Sequence, residues 1–227
     1  MRLDRGLSDF NVGRTLVVNG TWDLPSAKSL SGPARWVTDG WELGLILTVS
    51  DGVPFTPTWG TGDDPALTQN NDDWAFPNRL GGPRCKTLTN PGNPNNYIKT
   101  QCFAVPTAPN QAFYNANCDQ SQGDPALLQC FNLRGNAGRN ILTGPGITNL
   151  DFSVFKNNRI KRISETFNVQ FRAEIFNIMN HPNFAPPTTP DNSDIFLSDG
   201  SPTGVAGLLS RTTIPERQIQ FAVKIVF

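Results

Sequence analysis

The sequence has no long apolar segment. Nowhere do about eighteen apolar residues follow one another, which excludes a membrane-spanning helix. A membrane-spanning strand needs only about ten residues of alternating polarity, so strands are not excluded. Hydrophobic residues make up 37% of the 227 residues, which is little core material for a soluble protein of this length. The 20 glycines and 19 prolines predict long stretches of turn and loop.

The sequence also lacks an excess of charge and an enzymatic constellation. Its 19 basic and 19 acidic residues balance, so no positive field gathers nucleic acid, and we expect no nucleic-acid partner. The single histidine, His181, lies in the turn-forming string Asn180-His-Pro-Asn183, where we expect a structural role. No Gly-x-Ser-x-Gly elbow occurs, and Gly60-Thr-Gly-Asp-Asp64 lacks the lysine of a phosphate loop. We therefore expect no enzyme, no catalytic residue and no cofactor.

A few loop residues suggest ligand chemistry only weakly. The acidic pairs Asp63-Asp64 and Asp72-Asp73 lack the spacing of a calcium loop, so we expect solvated turns and no metal site. Trp59 and Trp74 lie in the same loop and could stack on a sugar, but we expect them to anchor the packing of the loop. A secreted β-rich hydrolase that uses Asp63 or Asp72 is the least favoured of our hypotheses.

The cysteines indicate a protein that is exported, whereas the N-terminus does not resemble an export signal. All four cysteines lie in one stretch rich in Pro, Gly and Asn, at spacings that match neither a zinc site nor a CxxC motif: Cys85, Cys102, Cys118 and Cys130. We expect two disulfides, as in a protein that folds in an oxidising compartment. Four cysteines allow three connectivities, and proximity favours pairing Cys85 with Cys102 and Cys118 with Cys130. The N-terminus does not resemble a secretory signal, so we expect the chain to be part of a longer protein.

The strongest pattern is alternation of polarity, which is typical of strands with one apolar face. In the C-terminal segment 217–227 the apolar set is Ile219, Phe221, Val223, Ile225 and Phe227. Similar alternation predicts strands at about 9–24, 40–55, 148–157 and 165–178. No segment has a persuasive helical period, although 173–179 would tolerate a helix. The sequence therefore predicts an all-β antiparallel meander of about five long strands.

The connections between these strands alternate between short and long. The longest, which bears the cysteines, covers about residues 57–145. A loop of this length is unusual in a compact soluble domain, whereas outer-membrane barrels combine short periplasmic turns with long extracellular loops. We therefore interpret residues 1–227 as one incomplete segment of a transmembrane β-barrel. In that interpretation Phe227 lies at the periplasmic rim, and the cysteine-bearing loop is extracellular.

The charges and tryptophans on the predicted strands fit a bilayer. A cation that faces lipid costs about 2–4 kcal/mol at the midplane and little near the rims. Arg14, Lys156 and Arg217 fall at strand ends on the apolar faces, and Trp22 and Trp41 flank the first short turn, as in an interfacial aromatic girdle. The polar faces carry the residues that we predict to face the lumen: Asp151, Gln170, Arg172 and Glu174. We expect an ion pair between Asp151 and Arg172 across the short turn.

Several strings occur in the order and at the distances found in a known family. They are Gly135-Asn-Ala-Gly-Arg-Asn140, Gly144-Pro-Gly146, Asn149-Leu-Asp-Phe-Ser-Val-Phe-Lys-Asn157, Gln170-Phe-Arg-Ala-Glu-Ile-Phe-Asn-Ile-Met-Asn-His-Pro-Asn-Phe184 and Gln218-Ile-Gln-Phe-Ala-Val-Lys-Ile-Val-Phe227. With Gly40-Trp41 and Ser50-Asp-Gly-Val-Pro-Phe55, they resemble the C-terminal barrel of TonB-dependent outer-membrane receptors. The similarity is greatest to the acidobacterial Oar-like branch, whose members often carry a carboxypeptidase-regulatory-like domain. It covers most of the chain outside about 57–130.

The resemblance implies uptake of a bulky nutrient through a barrel of about 22 strands around a plug. It implies energy coupling by the TonB system through that plug. It also implies that the terminal strand is the signal for the barrel-assembly machinery, carried by Phe221, Val223, Ile225 and Phe227. The partners implied are outer-membrane lipid, the assembly machinery, and an N-terminal barrel and plug of the same protein.

This chain departs from the family pattern because no plug and no energy-coupling box are recognisable in it. Five strands cannot close a barrel, since bacterial single-chain barrels have at least about eight. We therefore expect the last five strands of a receptor that transports nothing alone, seen as an open sheet with an exposed apolar face. The alternative is a secreted soluble β-sandwich that serves as a binding or adhesion module. A barrel exposes Leu45, Leu47, Phe171, Val223 and Ile225, whereas a sandwich buries them.

Overall fold

The computed structural model of the protein describes residues 5–26, 32–59, 76–121, 123–130, 132–187, 193–197 and 199–227. These residues form two compact units. The sheet unit comprises residues 14–51, 146–183 and 213–227, and the loop unit comprises the described parts of 1–13, 52–145 and 184–212. Each unit is described separately below.

The sheet unit is one antiparallel meander of five strands. Its order is β1 (Thr15–Asp23), β2 (Trp41–Ser50), β7 (Ile147–Arg159), β8 (Asn168–Phe176) and β9 (Gln218–Val226). Within this sheet each strand pairs with the next in that order, and all pairings are antiparallel. The predicted antiparallel meander and its open form are therefore confirmed. Both edges of the sheet, β1 and β9, have one neighbour each.

The register of the sheet unit keeps polar and apolar residues on separate faces. One cross-strand row runs Trp22, Leu43, Val154, Ala173 and Phe221, each residue directly opposite the next. Directly paired residues point to the same face of a sheet, so this row lies on one side. Because side chains alternate along each strand, the polar set occupies the other side.

The loop unit contains short strand pairs, one helix and a packed core. β3 (Pro54–Phe55) pairs with β6 (Leu142–Thr143), and β4 (Asn78–Arg79) pairs with β5 (Phe103–Ala104). The helix is α2 (Gln111–Asn117), and short 3-10 turns span Pro83–Cys85, Thr100–Cys102 and Pro125–Leu127. Its core brings distant parts of the chain together in one cluster, which includes Phe55, Ile98, Phe103, Leu142 and Ile195. The long loops therefore supply a hydrophobic core of their own, which the sequence analysis did not anticipate.

The described residues also contain two short α-helices, which the alternation of polarity did not predict. One is α2, whose N-cap residue Asn110 accepts a hydrogen bond from the backbone amide of Phe113 at 2.8 Å. The other is α1 (Pro33–Thr38), a single short helix between β1 and β2 that begins with a proline at its first turn. Both are too short for a periodic signal, so sequence reasoning overlooked them. No helix in the described part of the chain is long and apolar enough to cross a membrane.

Candidate membrane-facing surface

The apolar face of the sheet unit is continuous across all five strands. Beside the row that contains Trp22 and Phe221, a second row runs Leu45, Phe152, Ile175 and Ile219. The rings of Phe171 and Phe221 stack with their centroids 6.0 Å apart. The sheet unit has no second sheet of its own in the described residues, because the other two sheets have only two short strands each and belong to the loop unit.

The exposure of the side chains on this face distinguishes a barrel segment from a β-sandwich. Leu45 and Phe171 are 40% and 39% exposed, and Val223 and Ile225 are 65% and 56% exposed. Leu47 is intermediate. A β-sandwich would bury these residues against a second sheet, so the structure does not favour that alternative. Apolar side chains exposed across a whole sheet mark a surface that contacts lipid or protein.

The terminal strand contributes the most exposed part of this face. Phe221 is 68% exposed, and Phe227, the last residue, is 92% exposed. Along β9 the apolar residues Phe221, Val223 and Ile225 pair with Ala173, Phe171 and Val169 of β8. The four residues predicted as the assembly signal therefore project from one edge strand and its end. Apart from the stacking of Phe221 on Phe171, they contribute little to packing within the chain.

The polar face carries the residues predicted to face the lumen. Glu174 lies between Ser153 and Gln220, and Arg172 lies between Phe155 and Ala222. The Nε of Arg172 donates to Oε1 of Gln170 at 2.5 Å, and its guanidinium lies 5.3 Å from the centroid of the Phe155 ring. Gln170 in turn donates to the side-chain oxygen of Asn157 at 2.9 Å. These polar side chains form a hydrogen-bonded surface across β7 and β8.

The predicted ion pair between Asp151 and Arg172 is wrong. β7 continues to Arg159 and β8 begins only at Asn168, so the register places Arg172 opposite Phe155. Asp151 shares the polar face with Arg172, but it lies just beyond Phe152, where the pairing of β7 with β8 ends. Its carboxylate accepts hydrogen bonds from the side chain of Asn149 at 2.9 Å and from the backbone amide of Asn177 at 2.8 Å.

Asparagines after β8 build a corner that sequence reasoning missed. Asn177 has a φ of 50° and is 2% exposed, and its side chain donates to the carbonyl oxygens of His181 and Pro215 at 3.1 Å each. The fully buried Asn183 accepts a hydrogen bond from the amide of Thr148 at 2.7 Å. Asparagine tolerates left-handed backbone and supplies both donors and acceptors, which suits such a corner. His181 takes part through its backbone, as expected of a structural residue.

Lys156 is the cation that the apolar face has to accommodate. It pairs with Trp41 and Phe171, so it lies on the apolar side, yet it is only 8% exposed. Its ammonium donates to the carbonyl oxygens of Trp36, at 2.8 Å, and of Asp39. It also lies 5.7 Å from the ring centroids of both Trp36 and Trp41. The β1–β2 connection thus covers a charge that the sequence analysis placed at a strand end.

The other two cations lie at strand ends as predicted. Arg14, just before β1, makes a two-pronged contact with Asp51, just after β2, at 2.9 and 3.1 Å. The hydrogen bond to Arg14 lowers the pKa of Asp51 below its ordinary value. The stabilisation from this pair is thus present at neutral pH and is lost as the pH falls through the lowered pKa. Arg217 precedes β9, and its amide donates to the Asn180 side chain at 3.0 Å.

The loop unit contains both disulfides, in the preferred connectivity. Cys85 is bonded to Cys102 and Cys118 to Cys130, at sequence separations of 17 and 12 residues. The first bond lies in the main core of the loop unit. The second lies in a smaller cluster with Ala108 and Tyr114, beside α2.

The remaining candidates from the loop give no site in the described residues. Trp59 is 3% exposed within the loop core, as predicted for an anchor of loop packing. Trp74, Asp63, Asp64, Asp72 and Asp73 lie outside the described residues. Among the described residues no cluster of three or more His, Cys, Asp or Glu side chains could hold a metal ion.

The two-faced antiparallel meander, its exposed apolar face and its rim tryptophans together define an outer-membrane β-barrel surface. Comparison with protein families agrees, because residues 1–220 match the family described as outer membrane beta barrel domain. The chain belongs to this family, and the protein is located in the outer membrane. No curated protein and no solved structure matches the chain.

Proposed function

We propose that the chain is the C-terminal barrel segment of a TonB-dependent receptor that takes up a bulky nutrient. The strings that resemble this receptor class support the proposal, and the longest of them fall on the strands β7, β8 and β9 and on the asparagine corner. The chain belongs to an outer-membrane barrel family, and we propose that within it the protein is a transporting receptor of the Oar-like branch.

The observation that carries the proposal is the open five-stranded sheet with one lipid-compatible face and one hydrogen-bonded polar face. An open sheet edge in lipid leaves backbone groups without partners, so β1 and β9 need further strands. We propose that an N-terminal barrel of the same protein supplies them. A polar inner face then suits a wide, water-filled or plugged lumen, and a plug within it would connect the barrel to the TonB system.

The loop unit supports a role in capture. Its core and two disulfides hold the described parts of the long connections in a defined shape, as a binding surface requires. The segment 51–146 leaves and re-enters the sheet at the paired residues Ser50 and Ile147, so it is an excursion from one end of the strands. We propose that this end is extracellular.

Assembly is tested by substituting the terminal aromatic. Phe227 is 92% exposed, so Phe227→Ala removes almost no packing within the chain. We expect the variant to lose most of its heat-modifiable, outer-membrane form in cells, because the assembly machinery reads this residue. The control is Val226→Ala, which changes the neighbouring residue on the opposite face. Equal assembly of both variants and the wild type would contradict the assembly signal.

Energy coupling is tested separately. The full-length protein, which includes the N-terminal barrel and plug proposed above, should form a photo-crosslink to the periplasmic domain of TonB in intact outer membranes. The yield should rise when the transported nutrient occupies the receptor. A well-assembled protein that never crosslinks to TonB would contradict the receptor class while leaving the barrel unaffected.

A further inference from the structure

The last part of the connection between β1 and β2, residues 32–39, lies over the apolar side of the sheet. It contains α1 and is called the rim segment here. The contacts of Lys156 show on which side of the sheet the rim segment lies. Lys156 is on the apolar face, and its ammonium donates to the carbonyl oxygens of Trp36 and Asp39. The rim segment therefore lies on the lipid side of the strands and does not turn toward the polar face.

Further contacts hold the rim segment in this position. The indole nitrogen of Trp41 donates to the carbonyl oxygen of Val37 at 2.8 Å. Gly40, with a φ of 79°, lets the chain turn into β2, and a Cβ at this position would lie 2.3 Å from the carbonyl oxygen of Asn157. The amide of Asn157 also donates to the Gly40 carbonyl oxygen at 2.7 Å. The last carbonyls of α1 are thus occupied by a lysine and an indole.

The outward side of the rim segment is apolar and uncovered. Trp36 is 60% exposed and Val37 is 56% exposed. Trp22, on the apolar face near the same strand ends, is 62% exposed. The exposed side chains of Trp36 and Val37 thus extend the apolar face of the sheet unit, which faces lipid in an outer-membrane protein. Tryptophan favours the boundary between headgroups and acyl chains, since its ring is apolar and its N–H is polar.

We propose that the rim segment is a membrane-interface anchor, in which Trp36 and Val37 insert among the lipid headgroups beside Trp22. Lys156 is its positioning residue: the ammonium holds the segment against the barrel wall while the backbone carbonyls and tryptophan rings shield the charge from lipid. The occupant of this surface is thus the boundary layer of the bilayer that surrounds the barrel.

A nitroxide at position 37 measures the depth directly. All four native cysteines are in disulfides, so Val37→Cys gives a single reactive thiol in this chain. The protein is purified from outer membranes and placed in phosphatidylcholine vesicles. Collisions with oxygen and with a water-soluble nickel chelate then report the position of the label. Leu45→Cys serves as the acyl-chain reference, and Arg162→Cys, in the exposed turn after β7, as the aqueous reference.

We expect the label at 37 to lie between the two references, within about 5–10 Å of the headgroup and acyl boundary. A label as accessible to the nickel chelate as that at 162 would overturn the anchor. Lys156→Met in the Val37→Cys background should shift the label toward water while Leu45→Cys stays unchanged. Lys224→Met, on the polar face of β9, should leave it in place. An unchanged depth in the Lys156→Met variant, with heat-modifiability retained, would overturn the positioning role.

Discussion

The carboxylate of Asp151 accepts a hydrogen bond from the backbone amide of Asn177 at 2.8 Å. This contact joins β7 to the corner after β8, where the chain leaves the sheet. Asn177 is nearly fully buried, so its amide makes this hydrogen bond away from bulk water. The relationship explains why an acidic residue lies on this strand without an ionic partner in the described part of the chain.

Replacement of Asp151 should therefore destabilise the sheet unit. Asp151→Ala leaves a buried amide unsatisfied, at a cost of about 1–3 kcal/mol. Urea unfolding in detergent micelles, followed by tryptophan fluorescence, measures the change. Ser153→Ala, two residues further along the same face, is the control and should have little effect. Equal stability of the two variants would show that the Asp151 contact contributes nothing.

The two faces of β2 should respond oppositely to a new charge. Leu45 and Ile46 are neighbours with similar exposure, 40% and 47%, but they lie on opposite faces. Leu45→Arg places a cation in lipid near the middle of the strand and should cost about 2–4 kcal/mol. Ile46→Arg faces the polar side, directly opposite Asp151, and should be tolerated. Heat-modifiability and urea unfolding of the two variants measure the difference, and a larger effect at Ile46 would reverse the assignment of the faces.

Each disulfide should stabilise its own part of the loop unit. Closing loops of this length removes about 3 kcal/mol of chain entropy from the unfolded state. The double variant Cys118→Ser/Cys130→Ser should expose α2 to limited proteolysis, because that bond lies beside the helix. The double variant Cys85→Ser/Cys102→Ser should expose the segment 83–102 instead. Identical cleavage patterns in the two double variants would contradict this division.

Tyr97 should make the loop unit sensitive to alkaline pH. Its hydroxyl donates to the carbonyl oxygen of Thr143 at 2.8 Å, and burial raises its pKa. A raised pKa means that the unfolded chain ionises first, so stability is full at neutral pH and falls as the pH rises above about 10. Tyr97→Phe should abolish that dependence and cost about 0.5–1.5 kcal/mol at neutral pH.

Tyr114 provides the matched control for Tyr97. It is 2% exposed, and its hydroxyl has no hydrogen-bond partner within the described residues. Tyr114→Phe therefore removes no hydrogen bond and should be neutral or slightly stabilising. Protease resistance of the loop unit at neutral pH compares the two variants. A larger loss of resistance in Tyr114→Phe than in Tyr97→Phe would contradict the role of the Tyr97 hydrogen bond.

Much of the sheet unit can be predicted from sequence, because alternation in β1, β2, β8 and β9 directly encodes one apolar face. The register between neighbouring strands is harder to predict from the sequence. The pairing of Arg172 depends on where the turn between β7 and β8 begins, and polar residues such as Asn158 and Arg159 continue the strand without an apolar signal. This is why Asp151 and Arg172 were wrongly expected to pair.

The core of the loop unit and the cover over Lys156 were not predictable for a different reason. Phe55 and Ile195 are distant in sequence, and they meet in a core whose members follow no period of two or 3.6. Lys156 is covered by backbone carbonyls of the rim segment. Every residue type has a backbone carbonyl, so the sequence does not indicate which residues make this contact. The disulfide pairing was predictable, since neighbouring cysteines close short loops.

One face of this sheet contacts lipid, and the other face contacts water. Nitroxide scanning along β9 of the protein in vesicles measures the difference, with labels placed one at a time from Gln220 to Ile225. We predict a period of two: high oxygen collision at Phe221, Val223 and Ile225, and high nickel-chelate collision at Gln220, Ala222 and Lys224. Equal nickel-chelate access at all six positions would contradict it.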